Sequence, residues 1–324
     1  MPNAIQIHEA GGPEVMKFEQ VSVGEPGEGE VRIRHTAIGL NYIDVYFRSG
    51  LYPAPQLPFT PGMEGAGVVE KVGPGVSGLK EGDRVAYAMV LGAYAEMRNV
   101  PAAKLVKIPE GVTDEQAASM MLKGLTAYYL LHRTYKVQKG DTILMHAAAG
   151  GVGLIVCQWA NALGATVIGT AGSDEKCELA KAHGAHHVIN YRTEDFVERV
   201  AEITDGKKCA VVYDGVGKDT FTGSLDCLQP FGMMVTFGNA SGPVDPLNLL
   251  LLSQKGSLFV TRPTLATHTA SRDLMTEAAD GLFAAVSSGQ VKIEVNQTYK
   301  LADAAQAHTD LEGRKTTGAS VFVI

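Results

Sequence analysis

The stretch Asp141-Thr-Ile-Leu-Met-His-Ala-Ala-Ala-Gly-Gly-Val-Gly153 decides the fold. Its apolar run from Thr142 to Met145 predicts a short buried strand, which leads into a turn of small residues. An amphipathic segment from Leu154 to Leu163, closed by Gly164, predicts a helix. The sequence therefore predicts a strand, a tight turn and a helix in direct succession.

The turn reads Ala148-x-Gly150-x-x-Gly153, a dinucleotide-binding G-x-G-x-x-G fingerprint with alanine at its first position. Ala148 permits the sharp turn, Gly150 lets a pyrophosphate approach the backbone, and Gly153 lets the helix pack close to the strand. The pyrophosphate would lie on the helix N-terminus, where free N–H groups and the helix dipole favour an anion. A glycine-rich turn also occurs in α/β proteins that bind no nucleotide, so context has to support the motif.

That context is a series of further apolar runs with helical patterns between them. The runs predict strands at Thr166–Thr170, Val188–Ile189, Ala210–Tyr213, Met233–Phe237 and Leu258–Val260. Strands that alternate with helices predict a doubly wound parallel sheet of the α/β class.

The end of the second predicted strand bears on which dinucleotide binds. It reads Thr170-Ala-Gly-Ser173 and lacks the acid that usually holds the ribose 2′-hydroxyl of NAD. Asp174 and Glu175 follow in the expected first turn of the next helix, where acids suit the dipole. Small and hydroxyl residues beside Lys176 favour the 2′-phosphate of NADPH, although an ordinary exposed lysine explains Lys176 equally well. Tyr191 is either a further contact at the adenosine end or a surface loop residue.

Composition limits the function classes. The 324 residues suggest about two domains, and 45% hydrophobic with 19% charged residues is ordinary for a globular enzyme. A net charge of −7 does not favour nucleic acid, and no apolar run approaches the roughly 18 residues of a membrane span. We therefore expect a cytoplasmic protein with neither nucleic-acid nor membrane partners.

The cysteines form no C-x-x-C pair or zinc cluster, and we expect packed, reduced thiols; they are Cys157, Cys177, Cys209 and Cys227.

The two ends of the chain differ from its middle. Short alternating segments separated by glycine and proline turns predict an all-β, barrel-like domain before the fingerprint; the segments are Ala4–Ile7, Glu30–His35, Gly67–Val72 and Arg84–Tyr87. A helix is expected to start at Thr113, and a second one to run from Ala127 to Tyr135. The tail predicts two helices and two strands, at Thr269–Ser288, Val291–Val295, Ala302–Leu311 and Ala319–Ile324.

Several longer motifs resemble the NADPH:quinone oxidoreductase (zeta-crystallin-like) family of the zinc-free medium-chain dehydrogenase/reductases. They are Asn41-Tyr-Ile-Asp-Val-Tyr46, Arg48-Ser-Gly-Leu-Tyr-Pro53, Lys123-Gly-Leu-Thr126, His146-Ala-Ala-Ala-Gly-Gly-Val-Gly153, Phe237-Gly-Asn239 and Val260-Thr-Arg-Pro263. The resemblance implies a GroES-like β-barrel catalytic domain over residues 1–122 and a Rossmann NADPH-binding domain over 123–265. Residues 266–324 would return to the catalytic domain.

The zinc alcohol dehydrogenases of this superfamily carry Gly-His-Glu where this chain has Gly62-Met63-Glu64. Methionine does not replace the imidazole ligand, and Asn41 stands near the position of a cysteine ligand. The resemblance therefore implies no metal. Without a Lewis acid, reduction of an electron-poor acceptor is the natural chemistry.

The resemblance also implies a set of residues that contact or frame NADPH, with the turn from Gly172 to Lys176 holding the 2′-phosphate. These residues are Asn41, Asp44, Tyr129, Gly150, Gly151, Val152, Gly153, Gly172, Ser173, Lys176, Tyr191, Phe237, Gly238, Asn239, Val260, Arg262 and Arg314. Two acids in the phosphate turn, Asp174 and Glu175, would weaken the preference for NADPH over NADH.

The expected function is NADPH-dependent reduction of a quinone, without metal, in a cleft between the domains. The candidate catalytic donors to the quinone oxygen are the hydroxyls of Tyr46 and Tyr52 and the amide of Asn41. Each also has a structural explanation: a core aromatic for Tyr46, packing against neighbouring prolines for Tyr52, and a helix cap for Asn41.

Two other functions remain open on the sequence. One is NADPH-dependent reduction of an enone or alkenal double bond on the same fold. The other is a non-catalytic, crystallin-like protein that binds NADPH or RNA, although the acidic balance argues against RNA. We also expect a homodimer, because the strand Ser257–Thr261 should form an edge of the sheet that a second copy covers.

Overall fold

The computed structural model describes residues 1–324 and divides them into two compact units. The first unit comprises Met1–Leu125, Thr269–Phe283 and Ile293–Ile324, and the second comprises Thr126–His268 and Ala284–Lys292. Within residues 266–324, which we expect to return to the first domain, the stretch Ala284–Lys292 belongs to the second unit. Two hydrogen bonds connect this stretch to the rest of that unit: Lys292 N–H donates to Gln158 Oε1 at 2.9 Å, and Gln158 Nε2 donates to Lys292 O at 3.2 Å.

The chain forms fifteen strands. They are β1 (Asn3–Ile7), β2 (Met16–Gln20), β3 (Glu30–Leu40), β4 (Glu64–Val72), β5 (Arg84–Ala88), β6 (Met97–Pro101), β7 (Val106–Lys107), β8 (Thr142–Met145), β9 (Thr166–Ala171), β10 (His187–Asn190), β11 (Cys209–Asp214), β12 (Leu228–Thr236), β13 (Phe259–Thr261), β14 (Val295–Lys300) and β15 (Ala319–Val323).

Ten α-helices accompany the strands. They are α1 (Tyr42–Ser49), α2 (Asp114–Tyr129), α3 (Gly151–Ala162), α4 (Asp174–Ala182), α5 (Phe196–Ile203), α6 (Phe221–Asp226), α7 (Leu250–Gln254), α8 (Leu265–His268), α9 (Arg272–Ser287) and α10 (Ala304–Glu312). No helix combines the length and the apolar character that crossing a membrane requires.

The first unit is built on a mostly antiparallel sheet in the order β14-β15-β3-β4-β5-β7, with β6 also paired to β3. The long strand β3 alternates buried and less buried positions along its first half, so one face supplies the core. The last strand, β15, pairs with β3 in the register Val321 opposite Gly39. The C-terminal strand thus joins the sheet of the first unit.

The second unit contains a parallel sheet in the order β10-β9-β8-β11-β12-β13. Counted from β8, this is the doubly wound order 3-2-1-4-5-6, in which ligands bind outside the carboxyl ends of the strands where the order reverses. The reversal lies between β8 and β11. The α/β prediction is confirmed, and the fingerprint turn lies at the reversal.

Two local predictions are wrong. The helix expected from Ala127 to Tyr135 is not a separate one: α2 runs through Gly124 and Ala127 to Tyr129 and continues as one π-helical segment, Leu130–Thr134. A Cβ at Gly124 would lie 2.5 Å from a Leu282 methyl group, so this glycine permits close packing rather than a break. The strand predicted at residues 291–295 lies later, at β14. The start of α2 is as expected, since Thr113 Oγ1 accepts a hydrogen bond from Gln116 N–H at 3.1 Å.

Candidate functional site

The fingerprint turn joins the end of β8 to the start of α3. Gly150 caps α3 with an extended backbone (φ −84°, ψ 173°) and contributes no side chain to its first turn. The amides of Gly151, Val152 and Gly153 occupy that turn, where N–H groups have no partner within the helix. They are therefore placed to bind an anion.

The two glycines of the turn have different steric roles. A Cβ on Gly153 would lie 2.4 Å from Ala147 O and 2.6 Å from Ala148 O, so only glycine fits there. A Cβ on Gly150 would meet a single atom within 4 Å, Ala147 O at 3.1 Å. Gly153 therefore allows helix and turn to pack, whereas Gly150 keeps space open over the helix N-terminus. This cradle fits the pyrophosphate of a dinucleotide.

The turn after β9 brings together three more of the expected residues. Ser173 Oγ accepts a hydrogen bond from Lys176 N–H at 3.3 Å and caps α4. A Cβ on Gly172 would lie 2.5 Å from Tyr191 Oη. The Tyr191 hydroxyl therefore lies against the turn in which Ser173 and Lys176 stand, at the end of the sheet where an adenosine would bind.

The two acids of this turn have partners of their own. Asp174 Oδ1 accepts a hydrogen bond from Asn190 Nδ2 at 2.8 Å. The pKa of the exposed Glu175 carboxyl is lowered, first by its own backbone N–H and then by the Ser173 hydroxyl. Both carboxyl groups are thus engaged at the N-terminus of α4, where the helix dipole also favours their charge.

The turns after β11 and β12 lie against each other. A Cβ on Gly215 would lie 3.1 Å from the Phe237 ring, and one on Gly238 would lie 2.3 Å from Gly215 O. Asp214, which is fully buried, fixes the first of these turns because its Oδ1 accepts the Gly217 N–H at 3.0 Å. The Phe237-Gly238 segment is therefore held at the carboxyl end of the sheet.

Tyr129 and Arg262 are also in the second unit. Burial raises the pKa of the Tyr129 phenol, and the positive charge of Arg262 opposes that rise. The Tyr129 ring stacks on His268 with centroids 4.5 Å apart and planes 2° from parallel. Arg262 Nη1 donates a hydrogen bond to Thr236 O at 3.2 Å. These contacts hold an aromatic ring and a cation near the end of β12.

In the first unit, Asn41 stands between β3 and α1 and is tied to a buried acid. Its Nδ2 donates to Glu64 Oε2 at 2.8 Å. Lys123 Nζ lies 3.1 Å from the same oxygen, and the Leu122 N–H donates to Glu64 Oε1 at 2.7 Å. The Glu64 carboxylate is fully buried and fully engaged. Asn41 is thereby fixed, with one amide N–H used and a second remaining on the same nitrogen.

Asp44, in the first turn of α1, is likewise fully buried. Its Oδ2 accepts hydrogen bonds from Asn41 N–H at 2.9 Å and from Tyr94 Oη at 3.0 Å. Its Oδ1 has no hydrogen-bond partner within the protein. Burial raises the pKa of this carboxyl to about 7, while both hydrogen bonds oppose the rise. Asp44 therefore keeps one buried carboxylate oxygen without a donor in the protein.

Tyr46 and Tyr52 form an aromatic group with Phe47. The Tyr46 and Tyr52 ring centroids lie 5.2 Å apart, and the Phe47 and Tyr52 centroids lie 5.8 Å apart, both edge to face. Tyr52 N–H also donates to Tyr46 O at 3.0 Å. The two candidate hydroxyls are thus on neighbouring rings that pack on each other.

The structure places the expected site residues in two groups. The first unit holds Asn41, Asp44, Tyr46, Tyr52 and Arg314, the last on the exposed turn after α10 with φ 58°. The second unit holds the remainder. Tyr129 is the last residue of α2, and the others lie in β13, in the turns that follow the parallel strands or in the first turns of the helices after them: Gly150, Gly151, Val152, Gly153, Gly172, Ser173, Lys176, Tyr191, Phe237, Gly238, Asn239, Val260 and Arg262.

The sequence alone indicates no role for the buried acids Glu64 and Asp214 or for Lys123. The sequence does contain a clue to the two acids, because each lies at one end of a strand segment made of small or apolar residues. A charge in such a segment is unfavourable unless it has a partner, so a partner could have been expected. The partner of Glu64 was not readable, since Lys123 is separated from it by 59 positions.

Two family models match the chain. The model described as alcohol dehydrogenase GroES-like domain matches residues 27–110, and the one described as zinc-binding dehydrogenase matches residues 151–280. A quinone oxidoreductase of Pseudomonas aeruginosa is 56% identical over 324 residues, which is the full length of both chains. The chain belongs to the quinone oxidoreductase family of the medium-chain dehydrogenase/reductases.

Solved structures of the quinone oxidoreductase family agree with this assignment. The crystal structure of Escherichia coli quinone oxidoreductase complexed with NADPH matches with a TM-score of 0.98 at 52% identity, over 99% of this chain and 100% of that one. A 2-haloacrylate reductase of Burkholderia is also similar, 48% identical over 331 residues that cover 100% of this chain and 99% of that protein.

The second family model is named for zinc, and the residues of this chain do not fit that metal. Met63 is buried, the Asn41 amide donates to Glu64, and Glu64 is paired with Lys123. No three His, Cys, Asp or Glu side chains are grouped so that they could hold a metal ion. The ion pair of Lys123 and Glu64 thus lies next to Met63, which occupies the position of the ligand histidine in the zinc enzymes.

Proposed function

We propose that this protein is an NADPH-dependent quinone reductase. The main support is the turn at the start of α3, where Gly150 and Gly153 form a cradle that fits a pyrophosphate. The chain that carries this turn matches, over 99% of its length, a quinone oxidoreductase whose crystal structure is a complex with NADPH. Bound NADPH supplies the reducing equivalents, and the protein binds, orients and shields the reactants.

The second unit would bind the nucleotide. The first-turn amides of α3 would hold the pyrophosphate, and Gly150 would leave room for it. The turn formed by Gly172, Ser173 and Lys176, with Tyr191 beside it, would receive the 2′-phosphate. The engaged state of Asp174 and Glu175 supports this assignment, because their charges are partly balanced by N–H donors.

The first unit would orient the acceptor. As a quinone is reduced, its oxygens gain negative charge and require hydrogen-bond donors. The proposed donors are the hydroxyls of Tyr46 and Tyr52 and the second amide hydrogen of Asn41. The Glu64–Lys123 pair acts through Asn41, since it fixes the amide from behind.

We also propose that the protein is a homodimer in the cytoplasm. The strand β13 is the last of its sheet, and Phe259 on it is exposed, as are Phe231, Leu249 and Leu250. An exposed apolar sheet edge is commonly covered by a second copy. The four cysteines are buried free thiols, which agrees with a reducing compartment.

The direct test is anaerobic oxidation of NADPH by the purified protein with a simple quinone, with NADH measured in parallel. Turnover that requires the quinone and prefers NADPH supports the proposal. Tight NADPH binding without turnover of any acceptor would contradict it and favour a non-catalytic binding protein.

A further inference from the structure

A row of polar side chains crosses one face of the parallel sheet of the second unit, where its strands end. The hydrophobic core on this face contains one residue from each of β8, β9, β11 and β12: Leu144, Ile168, Val212 and Met234. Side chains two positions apart point to the same face of a strand, so the next residue of each strand joins the row. The row consists of His146, Thr170, Asp214 and Thr236. All four are buried, so their polar groups depend on partners within the protein.

His146 is the centre of this row, at the point where the strand order reverses. Its backbone N–H donates to Tyr213 O on β11 at 3.0 Å, whereas the N–H of Ala148 donates to Thr170 O on β9 at 2.9 Å. The His146 ring divides in the same way. Its Nδ1 lies 3.0 Å from Thr170 Oγ1, and its Nε2 lies 2.9 Å from Ser224 Oγ on α6, the helix between β11 and β12. His146 is therefore bonded to both sides of the reversal.

Ser224 continues the network to the turn after β11. Its hydroxyl lies 2.8 Å from Thr220 O and 3.4 Å from Asp214 Oδ2. The same Asp214 oxygen accepts the Thr220 hydroxyl at 2.7 Å. Asp214 Oδ1 accepts the backbone N–H groups of Val216 at 2.7 Å and of Gly217 at 3.0 Å. The network thus runs from the fingerprint turn to the turn after β11, which packs against the turn after β12.

The partners of Ser224 decide where the proton of His146 lies. Thr220 O and the Asp214 carboxylate only accept, so they use the single hydroxyl proton of Ser224. His146 Nε2 must then donate to Ser224, which leaves Nδ1 to accept the Thr170 hydroxyl. Burial lowers the pKa of His146, although the negative charge of Asp214 opposes this. The neutral ring therefore has one donor and one acceptor, and both are used.

The order of these groups excludes a nucleophilic Ser-His-Asp triad. In such a triad the acid accepts the histidine Nδ1–H, and the serine donates to Nε2. Here Nδ1 faces Thr170, and Asp214 lies on the serine side of the ring. Ser224 is also fully buried. The network therefore fixes geometry and carries out no nucleophilic chemistry.

The residue after His146 shows why the fingerprint turn needs this support. Ala147 has φ 53°, in the left-handed region that is unfavourable for a residue with a Cβ. Its carbonyl oxygen accepts the Gly150 N–H at 2.9 Å, so this conformation closes the turn. A strained conformation persists only where its surroundings fix it. His146 is fixed through its backbone N–H and through both ring nitrogens.

A doubly wound sheet binds a dinucleotide across the reversal, with one mononucleotide half on each side. We propose that His146 is a positioning residue that joins the two halves of this site: one ring nitrogen holds the end of β9, and the other holds the turn after β11 through Ser224 and Asp214. The inference rests on the proposed function, since it requires that the second unit bind a dinucleotide. His146 is 1% exposed and acts through these neighbours rather than by contact with the nucleotide.

Such a connection affects a whole dinucleotide and a half differently. NADPH gains affinity when both halves of its site are held at the correct spacing, because its second half then binds without a further loss of freedom. A fragment that occupies one half only, such as adenosine 2′,5′-bisphosphate, gains nothing from the connection. Loss of the connection should therefore weaken binding of NADPH and spare the fragment.

The test uses the full-length protein, with NADPH titrated by fluorescence and adenosine 2′,5′-bisphosphate measured by displacement of NADPH. Thr170→Val and Ser224→Ala each remove one bond of the His146 ring. Each is expected to weaken NADPH about tenfold and to change the affinity for the fragment by less than about twofold. The double variant should also lose only about tenfold, because either single change already disconnects the halves.

The matched control is Thr236→Val. Thr236 lies in the same row and is also buried, but its hydroxyl has no hydrogen-bond partner. The substitution makes the same change of shape as Thr170→Val without breaking a bond. Both affinities of the control should stay within about twofold of the wild-type values. Urea denaturation verifies that every variant is folded under the binding conditions.

An equal loss of affinity for NADPH and for the fragment would show that the network only stabilises the unit, and would overturn the inference. Unchanged NADPH affinity in both single variants, or additive losses in the double variant, would overturn it while the proposed function stands. If the wild-type protein binds no NADPH, the proposed function fails as well. ¹⁵N NMR of the wild-type histidines provides a second readout: the Nε2–H tautomer of His146 is expected, and the Nδ1–H tautomer would overturn the direction of the network.

Discussion

Lys123 Nζ lies 3.1 Å from Glu64 Oε2, and the two side chains are 7% and 0% exposed. Such a pair is stable only while both partners are present, because a lone charge in the interior is strongly unfavourable. The pair also connects β4 to the part of α2 that belongs to the first unit. It therefore serves two purposes, packing of the unit and orientation of Asn41.

Replacing Lys123 by methionine should destabilise the protein by about 3–5 kcal/mol, since it leaves the Glu64 charge buried and unpaired. The measurement is urea denaturation at pH 7. The control is Lys181→Met, because Lys181 pairs with Glu178 in an exposed position, and its effect should stay within about 0.5 kcal/mol. Equal stability of the two variants would show that the buried pair is not a structural element.

Gly153→Ala should damage both folding and nucleotide binding. Its methyl group would meet two backbone oxygens, at 2.4 and 2.6 Å, and relief requires that the helix move; the expected loss is about 1–3 kcal/mol. Gly150→Ala should cost less stability than Gly153→Ala and lose affinity for NADPH, because its methyl group meets only one backbone oxygen, Ala147 O at 3.1 Å, and otherwise fills the space left for the pyrophosphate. Gly24→Ala, with nothing within 4 Å, is the control for both measurements. A Gly150→Ala variant with native affinity would contradict the assigned approach of the pyrophosphate.

Lys176→Ala should weaken binding of NADPH about tenfold and leave NADH nearly unchanged, as expected for loss of a charge-assisted contact to the 2′-phosphate. Titration calorimetry with both nucleotides measures the ratio. Lys181 lies on the same helix, in its last turn, so Lys181→Ala is the matched control. A parallel loss of affinity for both nucleotides would remove Lys176 from the phosphate site.

Tyr52→Phe should lower kcat for quinone reduction by about tenfold or more while affinity for NADPH is unchanged, because only a donor to the reduced oxygen is lost. Steady-state kinetics and nucleotide titration separate the two effects. Tyr299→Phe serves as control, since the hydroxyl of Tyr299 bonds Asp310 at 3.2 Å. Unchanged kcat in Tyr52→Phe would leave this ring with a packing role against Tyr46.

The pH dependence of stability should include the contributions of three buried groups, His35, His308 and Asp44. Burial lowers the pKa of His35 and of His308 to about 3, so their contribution is complete above pH 6.5 and is lost as the pH falls toward 3. Burial raises the pKa of Asp44 from 3.8 to about 7, so its contribution is complete below 3.8 and is lost as the pH rises through 7. Between about pH 4 and 6.5, the stability that Asp44 loses as the pH rises therefore offsets the stability that one of the two histidines gains.

Asp44→Asn should consequently steepen the fall of unfolding free energy with acid by about 1.4 kcal/mol per pH unit in this window. Urea denaturation at several pH values gives the slope directly, and the slope does not depend on the starting stability of the variant. Asp245→Asn, an exposed change, is the control. Parallel slopes for wild type and Asp44→Asn would show that Asp44 is ionised in the folded protein throughout the window.

The sequence predicted the elements whose signal is local. The strand, turn and helix from Thr142 to Leu163 were readable because the period of the apolar residues changes at a run of small residues. The separate helix expected from Ala127 was wrong, because α2 continues through Gly124, where contact with Leu282, far away in the chain, requires a glycine. Local propensity does not encode such contacts.

The candidate site likewise contains residues that the sequence predicts and contacts that only the folded structure reveals. Gly150, Ser173 and Tyr191 lie in turns at the ends of parallel strands, which the order of elements already places together. The pairing of Glu64 with Lys123 joins residues 59 positions apart, and the contact of Arg48 Nη1 with His308 Nδ1 joins residues 260 positions apart. They arise from tertiary packing and appear only in the folded structure.

The measurement that tests the central claim most directly is a comparison of kcat/KM for a quinone and for an activated double bond, such as a simple enone or 2-haloacrylate, with NADPH under anaerobic conditions. The proposed function requires a kcat/KM for the quinone that exceeds the value for either double-bond substrate. Rapid reduction of the double bond with little quinone turnover would contradict it, and the protein would then be an enone-type reductase on the same fold.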